Sequence, residues 1–339
     1  MADTLPELTE TIDDAFLHTW YDIRKEAIDN ILDATPVWAA LKERGCLKTQ
    51  KGGRFIERTI KYGTKSTTEV AKGSVFSQGE DEIETGAFWS WKYISAHVQR
   101  SVFDDQVNSG ENAIKKLVDT KLTAAKDALI AKLETVLFGA YSATADTTDK
   151  SVQGLNELVP NWAYGSGGSS FAVPGTLTYG KISRGNSWWE SNYKAMTANP
   201  EVNLLSDMKN LYNTCSKNIA SPNLIVTTQE WFELYEDFAL EISQIVKDES
   251  THLADLGFDV LRFKGKPMVW TDSSLYSTYQ QMLMLNTDFI EVVYDPQLWF
   301  AMSNWKEIPL QGERIAHFLN ACNVIGTQPR RQGRLYETA

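Results

Sequence analysis

Residues 11–32 carry apolar side chains at Ile12, Phe16, Trp20, Ile23, Ala27 and Ile31, three or four positions apart. That spacing predicts an amphipathic helix. Pro36 limits its continuation, and a loop is expected to follow. The apolar stripe has two destinations open to it, its own core or a neighbour. From Arg54 to Tyr62 the period drops to two, with Ile56, Arg58, Ile60 and Tyr62 on one face of a predicted strand. KGGRF at 51–55 has no helix signal after it and reads as the hinge that opens that strand. Phe88 to Val98 alternates in the same way, with Trp89, Trp91 and Tyr93 on one face and Phe88, Ile94, Ala96 and Val98 largely on the other. The two segments read as partners. Between them lies GTKSTTEVAKGSVFSQGEDEIETG, roughly 25 residues where a hairpin loop ordinarily holds ~2–5. A two-stranded ribbon is marginal alone in water. It needs the body of its own subunit or another subunit, so an intersubunit arm and a flexible surface hairpin are both open readings.

The strongest helical period runs over 109–138, through Ile114, Leu117, Val118, Leu122, Ala125, Leu129, Leu133, Val136 and Leu137. Asn108 with Glu111 suits a variant capping box, Glu111 and Lys115 form an i,i+4 pair, and Gly139 is the candidate C-cap. Such a helix would be about 42 Å long, well above the average, and would serve as a spine. Beyond residue 154 the pattern is mixed. GSGGSS at 165–170 is a loop by composition, and Trp188 and Trp189 follow it. A helix is predicted at 201–216, with Val202, Leu205, Met208, Leu211 and Tyr212 in phase. NLIVT at 223–227 reads as a buried strand, with Thr228 capping the next helix. LRF and MVW flank a turn at Gly265. Further strands are expected at 282–285, 289–294 and 314–325 and in the GRLY tail.

Composition narrows the function classes. A net charge of −11 argues against a protein that grips nucleic acid along its length. Eleven tryptophans promise extensive packing surface. Cys46, Cys215 and Cys322 are too far apart for a metal or redox CxxC motif and read as free thiols. No apolar leader opens the chain and no stretch reaches the ~18 apolar residues of a membrane span, so synthesis in the cytoplasm and no membrane partner are expected. His18, His97, His252 and His317 stand outside metal-ligand spacing of one another, and no HExxH, GxSxG, P-loop or dinucleotide motif occurs. Neither an enzyme nor a cofactor is expected. The acidic run Gly79–Glu84 lacks EF-hand spacing and reads as a solvated loop. Arg330, Arg331 and Arg334 form a basic cluster suited to a phosphate or to a neighbour's carboxylates, or simply solvated.

The order of these features resembles the major capsid proteins of tailed bacteriophages, with the Hong Kong 97 phage capsid fold. The resemblance rests on GGRFIERTIKY…FWSWKYISAHV, on SVFDDQVNSGENAIKKLVDTKLTAAKDALIAKLETVLFGA, and on GLNELV shortly after. It continues through NLIVTTQEWFELYED, LRFKGKPMVWTDSS and MLMLNTDFIEVVYDP. It implies an α+β subunit with an N-arm at 1–50 and an extended E-loop at 51–100. The P-domain would comprise 101–150 and 300–339, and a mixed α/β A-domain 151–299, including Trp188, Trp189 and the GSGGSS loop. It also implies pentamers and hexamers that close an icosahedral head around double-stranded DNA, packaged without sequence-specific binding. A portal, a separate scaffolding protein and a decoration protein are the expected partners. Intersubunit contacts are expected from Phe16, Trp20, Lys61, Lys65, Lys72, Trp89, Trp91, Arg330, Arg331 and Arg334, without a covalent crosslink. The same fold builds encapsulin nanocompartments, which is the alternative reading. A phage tail or decoration protein and an enzyme with a novel site are less consistent with the long spine and the empty motif search.

Overall fold

The computed structural model describes residues 36–64, 67, 69–73, 82–101, 111–139, 150–160, 178–197, 199–217, 219–241, 261–271, 280–308 and 312–337. The expected N-terminal helix, the Asn108 cap and the GSGGSS loop lie outside them.

Pro36 opens an element. Helix α1 spans Pro36–Glu43, and proline is well suited to a first helical turn because the amide it lacks would be unbonded there. Val37, Trp38, Ala39, Ala40 and Leu41 are all buried. Strand β1, Leu47–Thr49, then pairs in parallel with β12, Ile290–Tyr294. Residues 36–49, expected to belong to an extended arm, are therefore part of the body.

Strand β2, Phe55–Lys61, pairs antiparallel with β3, Glu84–Ser90. The expected single strand at 88–98 is divided. Its remainder is β4, Lys92–Ser101, which leaves the hairpin and pairs along its length with β15, Glu313–Gly326. The break falls at Trp91, and the buried positions change parity across it. Ala87 and Trp89 face the core before the break, and Lys92, Ile94 and Val98 after it. Trp89, Trp91 and Tyr93 therefore do not share a face. Tyr93 is 64% exposed, while the Trp91 indole nitrogen donates to the Gly53 carbonyl at 2.9 Å. Gly52 and Gly53 have φ of 63° and 96°, so the expected hinge uses backbone that glycine adopts without strain.

The expected long helix is present as α2, Glu111–Leu137. Leu122, Ala125, Leu129, Leu133 and Leu137 are buried at helical spacing against the core that also holds Ile94 and Val98. Its C-terminus is not closed by a left-handed glycine, since Gly139 is absent from the residues with positive φ. Instead, the Asn156 amide donates to the carbonyls of Phe138 at 2.8 Å and Gly139 at 3.0 Å. Gly154 lies so near that a Cβ there would meet the Val136 carbonyl oxygen at 2.5 Å. GLNELV, whose Leu155–Leu158 turn is α3, is thus the cap of the spine.

One sheet has β15 at its centre. β12 lies beside it, with β1 beyond. β13, Ala301–Met302, and β14, Lys306–Glu307, also pair with β15, as does β4. A second sheet runs in the order β7, β16, β11, β8, β10, β9. These strands span Asn192–Ala195, Gly333–Tyr336, Gln281–Leu285, Leu224–Thr228, Lys266–Thr271 and Leu261–Phe263 respectively. Helices α4, Pro200–Cys215, and α5, Gln229–Glu241, cover one face of it. The sheet divides the interior. Ile225, Met268, Met282 and Met284 face the core under α4 and α5, while Leu224, Val226, Val269, Leu283 and Leu285 face the core shared with α2 and β15. A strand buried on both faces reads as an unbroken apolar run, which is why LIVT and MLML carry no alternation. The β9–β10 turn is Lys264–Gly265, with φ of 50° and 75°, the geometry of a two-residue hairpin turn.

The sheets do not separate at residue 300. β12 belongs with β15 and β16 with β11, so the chain crosses from one sheet to the other and back. Within α4, Val202 is 74% exposed and Leu204 and Asp207 are buried instead. Thr228 ends β8 as a buried residue whose hydroxyl bonds to nothing among the described residues, so it does not cap α5. No helix among the described residues is long and apolar enough to cross a membrane.

Candidate assembly surfaces

The base of the β2–β3 hairpin is anchored to its own subunit. Ile56, Ile60, Ala87 and Trp89 lie in the main core. Trp89 has no exposed surface and packs edge-on to Tyr179 at 5.7 Å between ring centroids. Tyr179 begins a small hairpin of β5, Thr178–Tyr179, and β6, Ile182–Ser183. Gly180 in its turn has φ of 59°, and a Cβ there would meet the Trp89 ring at 2.8 Å. Phe88 donates its amide to the Gly180 carbonyl at 3.0 Å. Tyr62 stacks on Trp188 with centroids 4.6 Å apart, and Lys181 sits over the Phe55 ring at 4.1 Å. Arg58 bridges to Glu291 on β12 at 2.8 Å. Trp188 and Trp189 thus pack around the hairpin base, in the main core rather than under α4 and α5.

Beyond Tyr62, the described residues 64, 67 and 69–73 are exposed. The Tyr62 and Gly63 amides both donate to the Ile83 carbonyl, at 3.0 and 3.1 Å, and close the ribbon there. Val70 is 47% exposed and Lys72 is exposed. Lys61, at the end of β2, is exposed as well. These are the arm cations open to a neighbour. Lys65, Phe16 and Trp20 lie outside the described residues. Trp89 must be removed from the expected contact set, because its surface is already spent inside the subunit. Trp91 is half-buried against the hinge.

The arginine cluster also divides. Arg334 is 2% exposed, donating to the Gln281 side-chain carbonyl at 2.9 Å and to the Asn156 side-chain oxygen. Arg331 is buried over the Phe289 ring and donates to the Lys217 carbonyl at 2.7 Å. Both join segments of one subunit and present little to a partner. Arg330 alone of the three lies half-buried beside Lys217 and Glu190 in a polar hollow. The sequence offered no sign of this, because which arginine of a cluster turns inward depends on the sheet that receives β16.

Asn323 was not anticipated as a structural hub. It has no exposed surface. Its amide donates to the Ser90 carbonyl and to the Gln153 side chain, each at 3.0 Å, and its oxygen accepts from the Gln153 amide at 3.0 Å. It ties the arm's root to the segment that caps the spine. His97 and His317, far apart in sequence, are register partners across β4 and β15, yet no cluster of metal-binding side chains occurs among the described residues. The three cysteines are free and buried. Burial pushes the Cys46 thiol up to about 11 and those of Cys215 and Cys322 up to about 12.

No protein-family model and no curated protein matches the chain. Solved structures do. The capsid of cyanophage A-1(L) is similar at 18% identity and a TM-score of 0.55, over 83% of this chain and 86% of that one. The capsid of a native GTA particle is similar at 10% identity and a TM-score of 0.54, over 88% and 90%. The holo-SrpI encapsulin complex from Synechococcus elongatus is more distant, at 10% identity and a TM-score of 0.48 over 85% and 83%. The likeness to the first two covers most of each chain, and this chain has the fold of a tailed-phage capsid subunit.

Proposed function

We propose that this chain is the major capsid protein of a tailed phage, assembling through pentamers and hexamers into an icosahedral head that encloses double-stranded DNA. The observation that carries the reading is the extended hairpin, rooted in its own core up to Tyr62 and Ile83 and exposed beyond, on a fold shared with solved capsids. A hairpin rooted in its own core, with exposed residues beyond the root, suits an arm that overlaps a neighbour, and repeated small contacts give avidity to a whole shell. Heterologous contacts of this kind close into rings. In this reading the hairpin is the E-loop, α2 is the spine of a P-domain built on the β15 sheet, and the sheet under α4 and α5 is the A-domain core. Lys61, Lys72, Trp91 and Arg330 remain contact candidates within the described residues, and Phe16, Trp20 and Lys65 outside them. The net charge of −11 suits an inner wall that holds DNA without adhering to it. Scaffolding, portal and decoration proteins complete the proposed set of partners.

The test is the content of particles purified from a producing host. Nuclease-protected double-stranded DNA with copurifying portal and terminase supports the reading. A peroxidase or ferritin-like cargo inside closed shells assigns the chain to the nanocompartment class instead.

A further inference from the structure

Strand β4 pairs with β15 on one side, and no other described strand pairs with its opposite edge. Residues 93–99 along that edge form one wall of a groove of about 750 Å³. The other wall is the side of α2. Ala124, Ala128 and Val136 supply its accessible apolar lining, and Lys121, Lys132 and Lys150 its charge. Among the described residues that line it none is acidic, on a chain whose net charge is −11.

The dimensions of the two walls agree. Seven strand residues span about 23 Å, and the helix stripe from 121 to 136 spans about 22 Å. An open strand edge presents unpaired amides and carbonyls and is a template for another strand unless it is blocked. Lys121 donates to the Gln99 carbonyl at 2.9 Å, at one end of the groove. The lysines stand on the facing helix and the segment beyond it, not on the strand, so they flank an incoming strand rather than fill its place.

We propose that this groove is a docking site for an extended acidic segment of a partner protein, added as a strand to the edge of β4 opposite β15. The segment would be about seven residues long with alternating character. Its apolar side chains would rest on Ala124, Ala128 and Val136, which keep exposed surface on the helix, and its carboxylates would meet Lys132 and Lys150. Backbone hydrogen bonds supply affinity that tolerates sequence variation, and the lysines select for acid. The proposal does not depend on the chain building a shell.

The probe is a fluorescein-labelled heptapeptide of alternating valine and glutamate, titrated by anisotropy onto the unassembled full-length chain. Three controls accompany it: the valine–lysine counterpart, the acidic peptide N-methylated at alternate residues, and the chain carrying Lys132→Glu or Ala128→Trp. Ala128 is an exposed groove residue, so the tryptophan fills the groove without entering the core. Binding of the acidic peptide is expected, at least tenfold tighter than the lysine peptide. Lys132→Glu should weaken it about tenfold, and N-methylation or Ala128→Trp should abolish it. Equal binding of the two charge types, retention after N-methylation, or no binding overturns the proposal. So does self-association that Ala128→Trp abolishes while the peptide stays unbound, which gives the groove to a second copy.

Discussion

Truncating Trp89 separates an anchor within the subunit from a contact between subunits. The side chain has no exposed surface and packs against Tyr179 and Gly180. In Trp89→Ala the transfer loss and the cavity together cost about 3–5 kcal/mol, against a total domain stability of about 5–15 kcal/mol. Trp89→Phe keeps an aromatic ring and should lose a smaller share. The assay is urea unfolding of unassembled protein, followed by tryptophan fluorescence and by circular dichroism. With a denaturant slope of about 3 kcal/mol/M, the alanine variant's midpoint should fall by about 1 M or more. A midpoint equal to that of the parent, combined with loss of assembly, would refute the reasoning and return Trp89 to the contact set.

Arg58→Ala removes a partly exposed bridge to Glu291, in which the side chains retain 27% and 22% of their exposure. Global stability should fall by no more than about 1 kcal/mol. Amide exchange in 55–61 and 84–90 should nevertheless quicken, and 1 M salt should shrink the difference between variant and parent. The three thiols should resist a disulfide reagent at pH 8 in the folded chain and react together once it unfolds. Their folded pKa values lie above the unfolded value of 9.0, at about 11, 12 and 12. Their contribution is therefore complete below pH 9 and is lost as pH rises toward those values, because the unfolded chain ionises first. Urea midpoints measured from pH 8 to pH 11 should fall, and triple replacement by alanine or valine should flatten the decline. Mature particles should run as a single monomer band on a denaturing gel, whereas a ladder of oligomers would reveal covalent crosslinks between subunits.

Local periodicity made the spine, the arm's root and most strands legible. Leu122 through Leu137 repeat at helical spacing because one stripe meets the core, and Ile56 and Ile60 alternate because one face of β2 does. LRFKGKPMVW carries its turn in the sequence, since Gly265 suits the positive φ found there. What could not be read depends on long-range pairing. Alternation continues through Trp91 in the sequence, and only the departure of β4 toward β15 reverses the faces. The assignment of β12 and β16 to opposite sheets has no local signal either. The burial of Arg331 and Arg334 follows from that topology, as does the opposition of His97 and His317. Helix α1 was not legible because proline, which stops a preceding helix, also suits the first turn of the next.

Electron microscopy of the purified full-length chain addresses the central claim most directly. Closed shells, or rings of five and six subunits, are the predicted result. A compact particle that stays monomeric under every assembly condition would contradict it.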